Sequence, residues 1–422
     1  MKVAIVYSFK PSEWFSCTII NENLRAAYEK IYDDILYIDY TRKSEVSEED
    51  FTRIVETGVE EIIFIDHQPT PAGFLYFFKR KYPEAYKKLK YTIHVFGDFP
   101  LYMEEWRKVF QNLESRQVRL ITASYKQKKF VEKFVQQDDI VEVCPFPVNT
   151  NKFYFDSGLR DKTRKELGLK DEYVFLYTGR LTIQKNIVEL IEEFTDFHEK
   201  NLVPKNSKLY IVGAIDTLGV PYLGITQLQG EYYRSLQKAL QKSSVKDQIV
   251  LVGKVKNEKL NSYYNMADCF LSLSTYHDED YGMSVAEAMC SGLPAILTDW
   301  AGYSSFQLKT RPEYCQLVAT YLTKLKPEFS RDLLKEKVLA HVKSEFLKKD
   351  ISLVYQKSFS IEACSKILQM ISEKKRSEFL GGTDFMKRLT NERILKGVES
   401  FKKETTREFN DIYLEAYDVY SG

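Results

Sequence analysis

The segment that decides the fold is "YVFLYTGRLTIQKNIVELIEEF", residues 173–194. A continuous run of apolar and aromatic residues, typical of a strand buried on both faces, ends at Gly179. A short loop follows, and from about Asn186 the apolar residues recur at the spacing of an amphipathic helix. A buried strand that leads into a helix is the repeating unit of parallel α/β sheets, so this segment predicts a doubly wound fold.

The same unit recurs along the chain in two series. The strands predicted in the first series are "KVAIVYSF", "DILYIDY", "EIIFID", "YTIHVFGD", "RLITAS" and "IVEVCPFP". Those of the second are "YVFLYTG", "KLYIVGA", "QIVLVGKV", "DCFLSLST" and "PAILTD". A polar, turn-rich stretch at 147–172 separates the two series. The sequence therefore predicts an α/β protein with two Rossmann-like parallel-sheet domains, 1–150 and 151–359, that face each other across a cleft.

The last part of the chain differs from both series. From about Ser305 onward the strand signals fade, and helices rich in Lys and Glu follow. "SIEACSKILQMISEKKRSEF" and "TREFNDIYLEAYDVY" carry apolar residues at helical spacing and need an apolar surface to bury them. We expect the helices of 360–422 to cross back and pack on the N-terminal domain.

Composition narrows the functional class. The 422 residues are too many for one ordinary core, and 61 Lys and Arg nearly balance 60 Asp and Glu. This balance argues against a nucleic-acid partner. The apolar start "VAIVY" is too short for a signal peptide or a membrane span. Six cysteines without a CxxC pair indicate reduced thiols in a cytoplasmic protein.

A second strand–loop–helix segment, "HDEDYGMSVAEAMCSGLPA" at 277–295, carries candidate binding groups. A helix that begins near Ser284 presents free backbone N–H groups suited to a phosphate, and Gly282 allows close approach of the backbone. Glu287 and Glu279 could accept hydrogen bonds from ribose and sugar hydroxyls. The alternative for Glu287 is a capping box, in which its carboxylate reaches back to Ser284.

Two cations in the first segment favour a binding site. Arg180 follows the strand, and Lys185 stands at a helix N-terminus, where a positive charge opposes the helix dipole. Such a break of a local rule often marks a site. Two cations near a second helix N-terminus could neutralise a diphosphate without a metal, whereas the alternative is two solvated surface cations.

"YTGRLTIQKN" and "EDYGMSVAEAMCSGLPAILTDWAGY" together resemble the retaining GT-B glycosyltransferases of the family-4 type. The match is to their Gly-Arg…Lys and E-x7-E motifs and is specific from about 118 to 305. The resemblance implies that Arg180 and Lys185 hold the donor diphosphate, that Glu287 takes the ribose and that Glu279 faces the donor sugar. It also implies that the amides of Gly282, Met283 and Ser284 cap phosphate or sugar oxygens.

The N-terminal domain departs from that family. Many members carry a Gly-rich loop after the first strand, near the acceptor, but "SFKPSEWFSC" has no glycine. Members often place a histidine at the end of a mid-domain strand, close to the transferring sugar. His94 and Asp98 in "YTIHVFGDFP" are the candidates here, with His67 and Asp66 on a neighbouring strand end. A packed histidine is the alternative for His94.

Neither a metal nor a cofactor is expected. Adjacent carboxylates such as those of "HDED", 277–280, usually diverge, and two cations make a metal redundant. A basic, aromatic stretch at 74–91 could lie on an anionic membrane at the cytoplasmic face, or could be a solvated face over a buried one.

The leading hypothesis is a retaining hexosyltransferase that uses a UDP- or GDP-sugar and a hydroxyl acceptor on a glycan, lipid or protein. A dehydrogenase would need GxGxxG after the first strand, and "YSFKPS" does not supply it. A catalytically degenerate sugar-nucleotide-binding or scaffold subunit is the alternative, although Arg180, Lys185, Glu279 and Glu287 are all present.

Overall fold

The computed structural model describes residues 1–12, 15–41, 47–216, 229–276, 279–323, 326–396 and 414–422. The chain forms two units. The first comprises the described residues of 1–147 and 359–396, and the second comprises those of 148–358 together with the described end of the chain, 414–422.

The first unit is built on a six-stranded parallel sheet in the order β2-β1-β3-β4-β5-β6. Its strands are β1 Val3–Tyr7, β2 Ile35–Asp39, β3 Glu61–Phe64, β4 Lys90–His94, β5 Gln117–Thr122 and β6 Val141–Val143. The central strands β1 and β3 are buried along their whole length, because helices cover both faces of the sheet. All six strands predicted for this domain are confirmed.

The helices of the first unit are α1 Phe15–Tyr28, α2 Glu48–Glu56, α3 Ala72–Lys81, α4 Pro83–Lys88, α5 Met103–Leu113 and α6 Tyr125–Glu132. The basic stretch at 74–91 is two helices rather than one. The break falls at Tyr82, because Pro83 begins the second helix and cannot donate a backbone hydrogen bond to the first.

The second unit holds another six-stranded parallel sheet, in the order β12-β11-β10-β7-β8-β9. Its strands are β7 Val174–Thr178, β8 Lys208–Val212, β9 Ile249–Gly253, β10 Cys269–Ser272, β11 Ala295–Thr298 and β12 Cys315–Val318. Its helices are α7 Ser157–Glu166, α8 Ile187–Glu199, α9 Gln229–Lys242, α10 Asn257–Met266, α11 Met283–Cys290, α12 Arg331–Val342 and α13 Lys348–Phe359. Two parallel α/β sheets confirm the predicted fold class.

The expectation that strands end near Ser305 is wrong. The sheet continues with β12, and a short antiparallel pair follows, β13 Thr320–Leu322 and β14 Pro327–Phe329. These strands have three or four residues and, unlike the equally short β6 and β10, lie in no longer apolar run that would mark them as strands.

The C-terminal tail is divided between the units. Helices α14 Ile361–Glu373 and α15 Asp384–Lys396 belong to the first unit, where they pack on α1 and α5. The last described residues belong to the second, since Thr320 N donates to Gly422 O at 2.7 Å and the Tyr420 ring lies edge-on to Trp300. The expectation that all of 360–422 crosses to the N-terminal domain therefore differs from the structure, although most of "TREFNDIYLEAYDVY" lies outside the described residues.

Within the described residues, no helix combines the length and the apolar character needed to cross a membrane.

Candidate functional site

Two loops at the carboxyl ends of β7 and β8 are joined by backbone hydrogen bonds. Leu181 N donates to Ala214 O at 2.8 Å, and Asp216 N donates back to Leu181 O at 3.1 Å. The loops approach so closely that a Cβ atom on Gly213 would lie 1.8 Å from the Gly179 carbonyl oxygen, so only glycine fits there. This pairing fixes the backbone on both sides of Arg180.

Arg180 is held by two groups that the sequence analysis did not identify. Its Nη1 donates to Asp216 Oδ2 at 2.8 Å, and its guanidinium lies 5.7 Å from the centre of the Tyr276 ring. Burial acts to lower the pKa of Arg180, but Tyr276 and Asp216 outweigh it and raise that pKa. Arg180 is therefore a fixed positive charge.

Lys185 and Glu279 form a buried ion pair between the β7 and β10 loops. The side chains are 12% and 8% exposed, and Ser274 Oγ donates to Glu279 Oε2 at 2.7 Å. Lys185 Nζ also lies 5.2 Å from the centre of the Tyr276 ring. The structure thus brings together two residues that are 94 positions apart and that the sequence predicted separately.

Asn186 ties the same two loops together. It adopts a left-handed backbone conformation, with φ of 53°, immediately before α8. Its Nδ2 donates to Leu273 O at 2.7 Å and to Thr275 Oγ1 at 3.0 Å. The beginning of α8 is therefore anchored to the end of β10.

Helix α11 begins at Met283, one residue before the predicted start. Gly282 precedes it with φ of 109°, and a Cβ at this position would lie 2.6 Å from the Tyr303 ring. Val285 N and Ala286 N both donate to Gly282 O. Within the described part of the chain, the amides of Gly282, Met283 and Ser284 have no acceptor. These amides form the helix N-terminus at which an anion is stabilised.

The capping-box alternative for Glu287 is not formed. Ser284 lies inside the helix, and Glu287 Oε2 instead accepts from the Tyr264 hydroxyl at 3.0 Å. Tyr264 OH is in turn 3.1 Å from Thr178 Oγ1 at the end of β7. Burial raises the pKa of Glu287 to about 8. Glu287 is therefore part of a polar network between α10, α11 and β7.

His94 is a buried histidine within β4. Its Nε2 lies 2.8 Å from the Tyr28 hydroxyl of α1, and burial lowers its pKa to about 3. The imidazole is thus neutral and packed, the environment of the alternative that sequence analysis left open.

Asp98 lies beyond the end of β4 and is also buried. Its Oδ2 accepts from Gln68 Nε2 at 3.3 Å. Burial raises the pKa of Asp98 to about 6, although the neighbouring His67 opposes this shift. Asp66 and His67, which follow β3, are joined by a contact of 2.9 Å between Oδ1 and Nδ1. The strand-end residues of the first unit therefore form one ionisable cluster, to which Asp98 belongs and His94 does not.

Among the described residues, no group of three or more His, Cys, Asp or Glu side chains is arranged to hold a metal ion. The predicted absence of a metal at "HDED" stays a prediction, because His277 and Asp278 lie outside the described residues.

Part of this chain, including most of the site, is similar to known proteins. Residues 160–307 match the family model described as glycosyl transferases group 1. An alpha-monoglucosyldiacylglycerol synthase of Acholeplasma laidlawii is 27% identical over 176 residues, 40% of this chain and 39% of that protein. A mannosylfructose-phosphate synthase of Agrobacterium fabrum is 22% identical over 245 residues, 58% of this chain and 50% of that protein. The chain thus spans half or less of the length of these relatives.

Solved structures are similar over most of the chain. Anabaena HepE, in complex with UDP and glucose, superposes with a TM-score of 0.62 at 13% identity, covering 89% of this chain and all of that one. A sucrose-phosphate synthase from Thermosynechococcus elongatus gives a TM-score of 0.59 at 16% identity, covering 88% of this chain and 98% of that one. These similarities establish the GT-B fold.

Proposed function

From the premise that residues 160–307 form a glycosyl transferases group 1 region, we propose that the chain is a glycosyltransferase. It transfers a hexose from a UDP- or GDP-sugar to a hydroxyl of a glycan, lipid or protein-linked acceptor, with retention of configuration and without a metal. The observation that carries the proposal is the convergence of Arg180 and Lys185 on Tyr276, between the β7 and β10 loops.

The donor diphosphate binds these two cations and the N-terminus of α11. The amides of Gly282, Met283 and Ser284 supply hydrogen bonds to phosphate or sugar oxygens. As the glycosidic bond breaks, negative charge develops on the leaving diphosphate. Fixed charges and amides stabilise it, each by about 3 kcal/mol when well placed.

The ion pairs of the site must exchange when the donor binds. Lys185 now pairs with Glu279, and Arg180 pairs with Asp216. When the donor binds, both cations also form ion pairs with its phosphates, and their pairing with the two carboxylates weakens. The Glu279 carboxylate then becomes available to a hydroxyl of the donor sugar. Because the carboxylates stay close by, they keep both cations oriented for this exchange.

Glu287 binds the ribose. In its ionised form the carboxylate accepts from the ribose hydroxyls while Tyr264 continues to hold one of its oxygens at 3.0 Å. The buried position of Glu287 makes such a hydrogen bond stronger than it would be in water.

On the acceptor side, both His94 and Asp98 were candidates for the reaction centre. Asp98 is the better one, because it lies at a strand end and its carboxyl has a pKa near 6. We assign His94 a supporting role through Tyr28.

Nucleotide binding tests the proposal first. Thermal shifts with UDP, GDP, ADP and their sugars identify the base, since a ligand at a hundred times its Kd stabilises by about 2.7 kcal/mol. Hydrolysis of the recognised donor, followed by NMR of the anomeric proton of the product, then tests transfer and retention. A protein that binds the nucleotide but neither hydrolyses nor transfers the sugar is the degenerate scaffold subunit instead.

We also propose that the chain works in the cytoplasm and touches the inner membrane face through α3 and α4. Tyr76 and Phe77 are 46% and 54% exposed on α3, beside the exposed cations Lys79, Arg80 and Lys81. Phe74, Leu75 and Phe78 fill the buried face, so these two rings are not needed for packing. Sedimentation with vesicles containing anionic lipid tests the contact, which Phe77→Ser should weaken and zwitterionic vesicles should not support.

A further inference from the structure

Cys17 lies beside the ionisable cluster of Asp66, His67 and Asp98, of which the proposed reaction uses only Asp98. It is the third residue of α1, and the ring of His67 hydrogen-bonds its side chain. His67 Nδ1 is 2.9 Å from Asp66 Oδ1, and Asp66 Oδ2 accepts from Ser8 N at 2.9 Å. The order of groups is thus a fixed carboxylate, an imidazole and a thiol.

Cys17 also differs from the other cysteines in its exposure. None of the six cysteines, all of them among the described residues, forms a disulfide. Cys17 is 7% exposed, whereas Cys144 is 1% and Cys269, Cys290, Cys315 and Cys364 are 0% exposed. Cys17 is therefore the least buried cysteine of this protein.

The charges around the thiol favour its ionised form. Burial alone would lower the pKa of His67, but Cys17, Asp66 and Asp98 outweigh it and raise that pKa to about 11. The carboxylates of Asp66 and Asp98 thus favour the imidazolium form of His67, whose ring lies between Asp66 and the Cys17 side chain. An imidazolium in contact with a thiol and a position in the first turn of a helix both stabilise a thiolate.

A buried acceptor beside the cluster lacks a partner. Asn21 is 7% exposed and lies four residues after Cys17, on the same face of α1. Its amide hydrogen-bonds Asp66, but its Oδ1 has no hydrogen-bond partner among the described residues. Because a buried acceptor without a hydrogen-bond partner is destabilising, this atom suits a small ligand that donates a hydrogen bond.

We propose that Cys17 is a thiolate paired with the His67 imidazolium and is a modification site for hydrogen peroxide. The sulfur attacks one peroxide oxygen, an S–O bond forms and the O–O bond breaks. The departing hydroxide takes the proton of His67 and leaves as water. The sulfur is oxidised to sulfenic acid and the peroxide is reduced to water. The unpaired Asn21 oxygen provides an acceptor for the O–H group of the peroxide or of the sulfenic acid.

Thiolate absorbance at 240 nm tests the ion pair. Subtracting a Cys17→Ser titration from that of the wild type should show one thiolate at pH 7, with a midpoint well below about 8.5. In His67→Asn the midpoint should return to that value or above. A difference spectrum without thiolate at pH 7 overturns the proposal, and this comparison does not depend on whether the His67 variant folds.

Peroxide reactivity tests the modification. After brief exposure to hydrogen peroxide, unfolding in dimedone and peptide mass spectrometry should place the label on Cys17, at least tenfold above any other cysteine. His67→Asn should slow labelling at least tenfold. Cys364→Ala is the matched control, since Cys364 also lies in a first helical turn but is fully buried, and it should leave labelling unchanged. Equal labelling of other cysteines, or none at Cys17, overturns the assignment.

Discussion

Replacing Lys185 by methionine removes a charge and nearly preserves the length of the side chain. The variant leaves the Glu279 carboxylate, 8% exposed, without its cation. Breaking one partner of a buried ion pair costs about 3–5 kcal/mol. Because Ser274 Oγ still donates to Glu279 at 2.7 Å, we expect the lower end, about 3 kcal/mol.

The second variant and the double variant separate stability from function. Glu279→Gln should cost about 1–2 kcal/mol, since an amide keeps a hydrogen bond and the lysine retains the Tyr276 ring. The double variant Lys185→Met with Glu279→Gln removes both charges and should be more stable than the sum of the two losses, by about 2 kcal/mol. Its donor turnover should stay at least about 100-fold below wild type, because the diphosphate has lost one cation.

Urea unfolding followed by circular dichroism measures stability, and donor hydrolysis measures turnover. Lys387→Met is the matched control, because Lys387 pairs with Asp384 at an exposed position and should change the unfolding free energy by less than about 1 kcal/mol. Additive losses in the double variant would refute the coupled ion pair. Recovery of turnover in the double variant would refute the role of Lys185 at the diphosphate.

Three further predictions follow from the same geometry. Asp216→Asn should weaken binding of the nucleoside diphosphate, measured by isothermal titration calorimetry, less than Arg180→Ala does, since Asp216 orients Arg180 but does not touch the ligand. Equal losses in the two variants would contradict this division of roles. Because burial raises the pKa of Glu287 to about 8, nucleotide affinity should rise at least about tenfold from pH 6 to pH 8 as the carboxylate ionises. This pH dependence should vanish in Glu287→Gln, and a flat wild-type profile would contradict the ribose role. Tyr420→Ala should destabilise the second unit by about 3 kcal/mol in urea unfolding, since the tyrosine ring is 1% exposed and packs on Trp300. An unchanged urea midpoint of unfolding would show that this contact is dispensable.

The parts of the fold that follow a local pattern could be predicted from the sequence. The buried strands and the amphipathic helices each show their own periodicity, and parallel strands place the loops after them at one edge of a sheet. That rule was enough to select Arg180, Lys185 and Glu279 as members of one site. It did not predict β12, β13 and β14, because the apolar residues of these strands show no periodic pattern.

The partners of the site residues could not be predicted, because they depend on register between distant loops. Asp216 reaches Arg180 only through the hydrogen bonds of Leu181, and Tyr276 acquires its position from the β10 loop. The capping-box alternative for Glu287 depended on a shift of a single residue. The φ of 109° at Gly282, which starts α11 at Met283, decides it.

The pairing of each site cation with a carboxylate of the chain has an electrostatic consequence. The charges of Arg180, Asp216, Lys185 and Glu279 sum to zero, so the four groups together attract a distant anion only weakly. A singly charged ion can compete with one carboxylate at a time, whereas a diphosphate offers charge to both cations at once. In the proposed site, the built-in counter-ions therefore favour ligands with two linked phosphates over chloride.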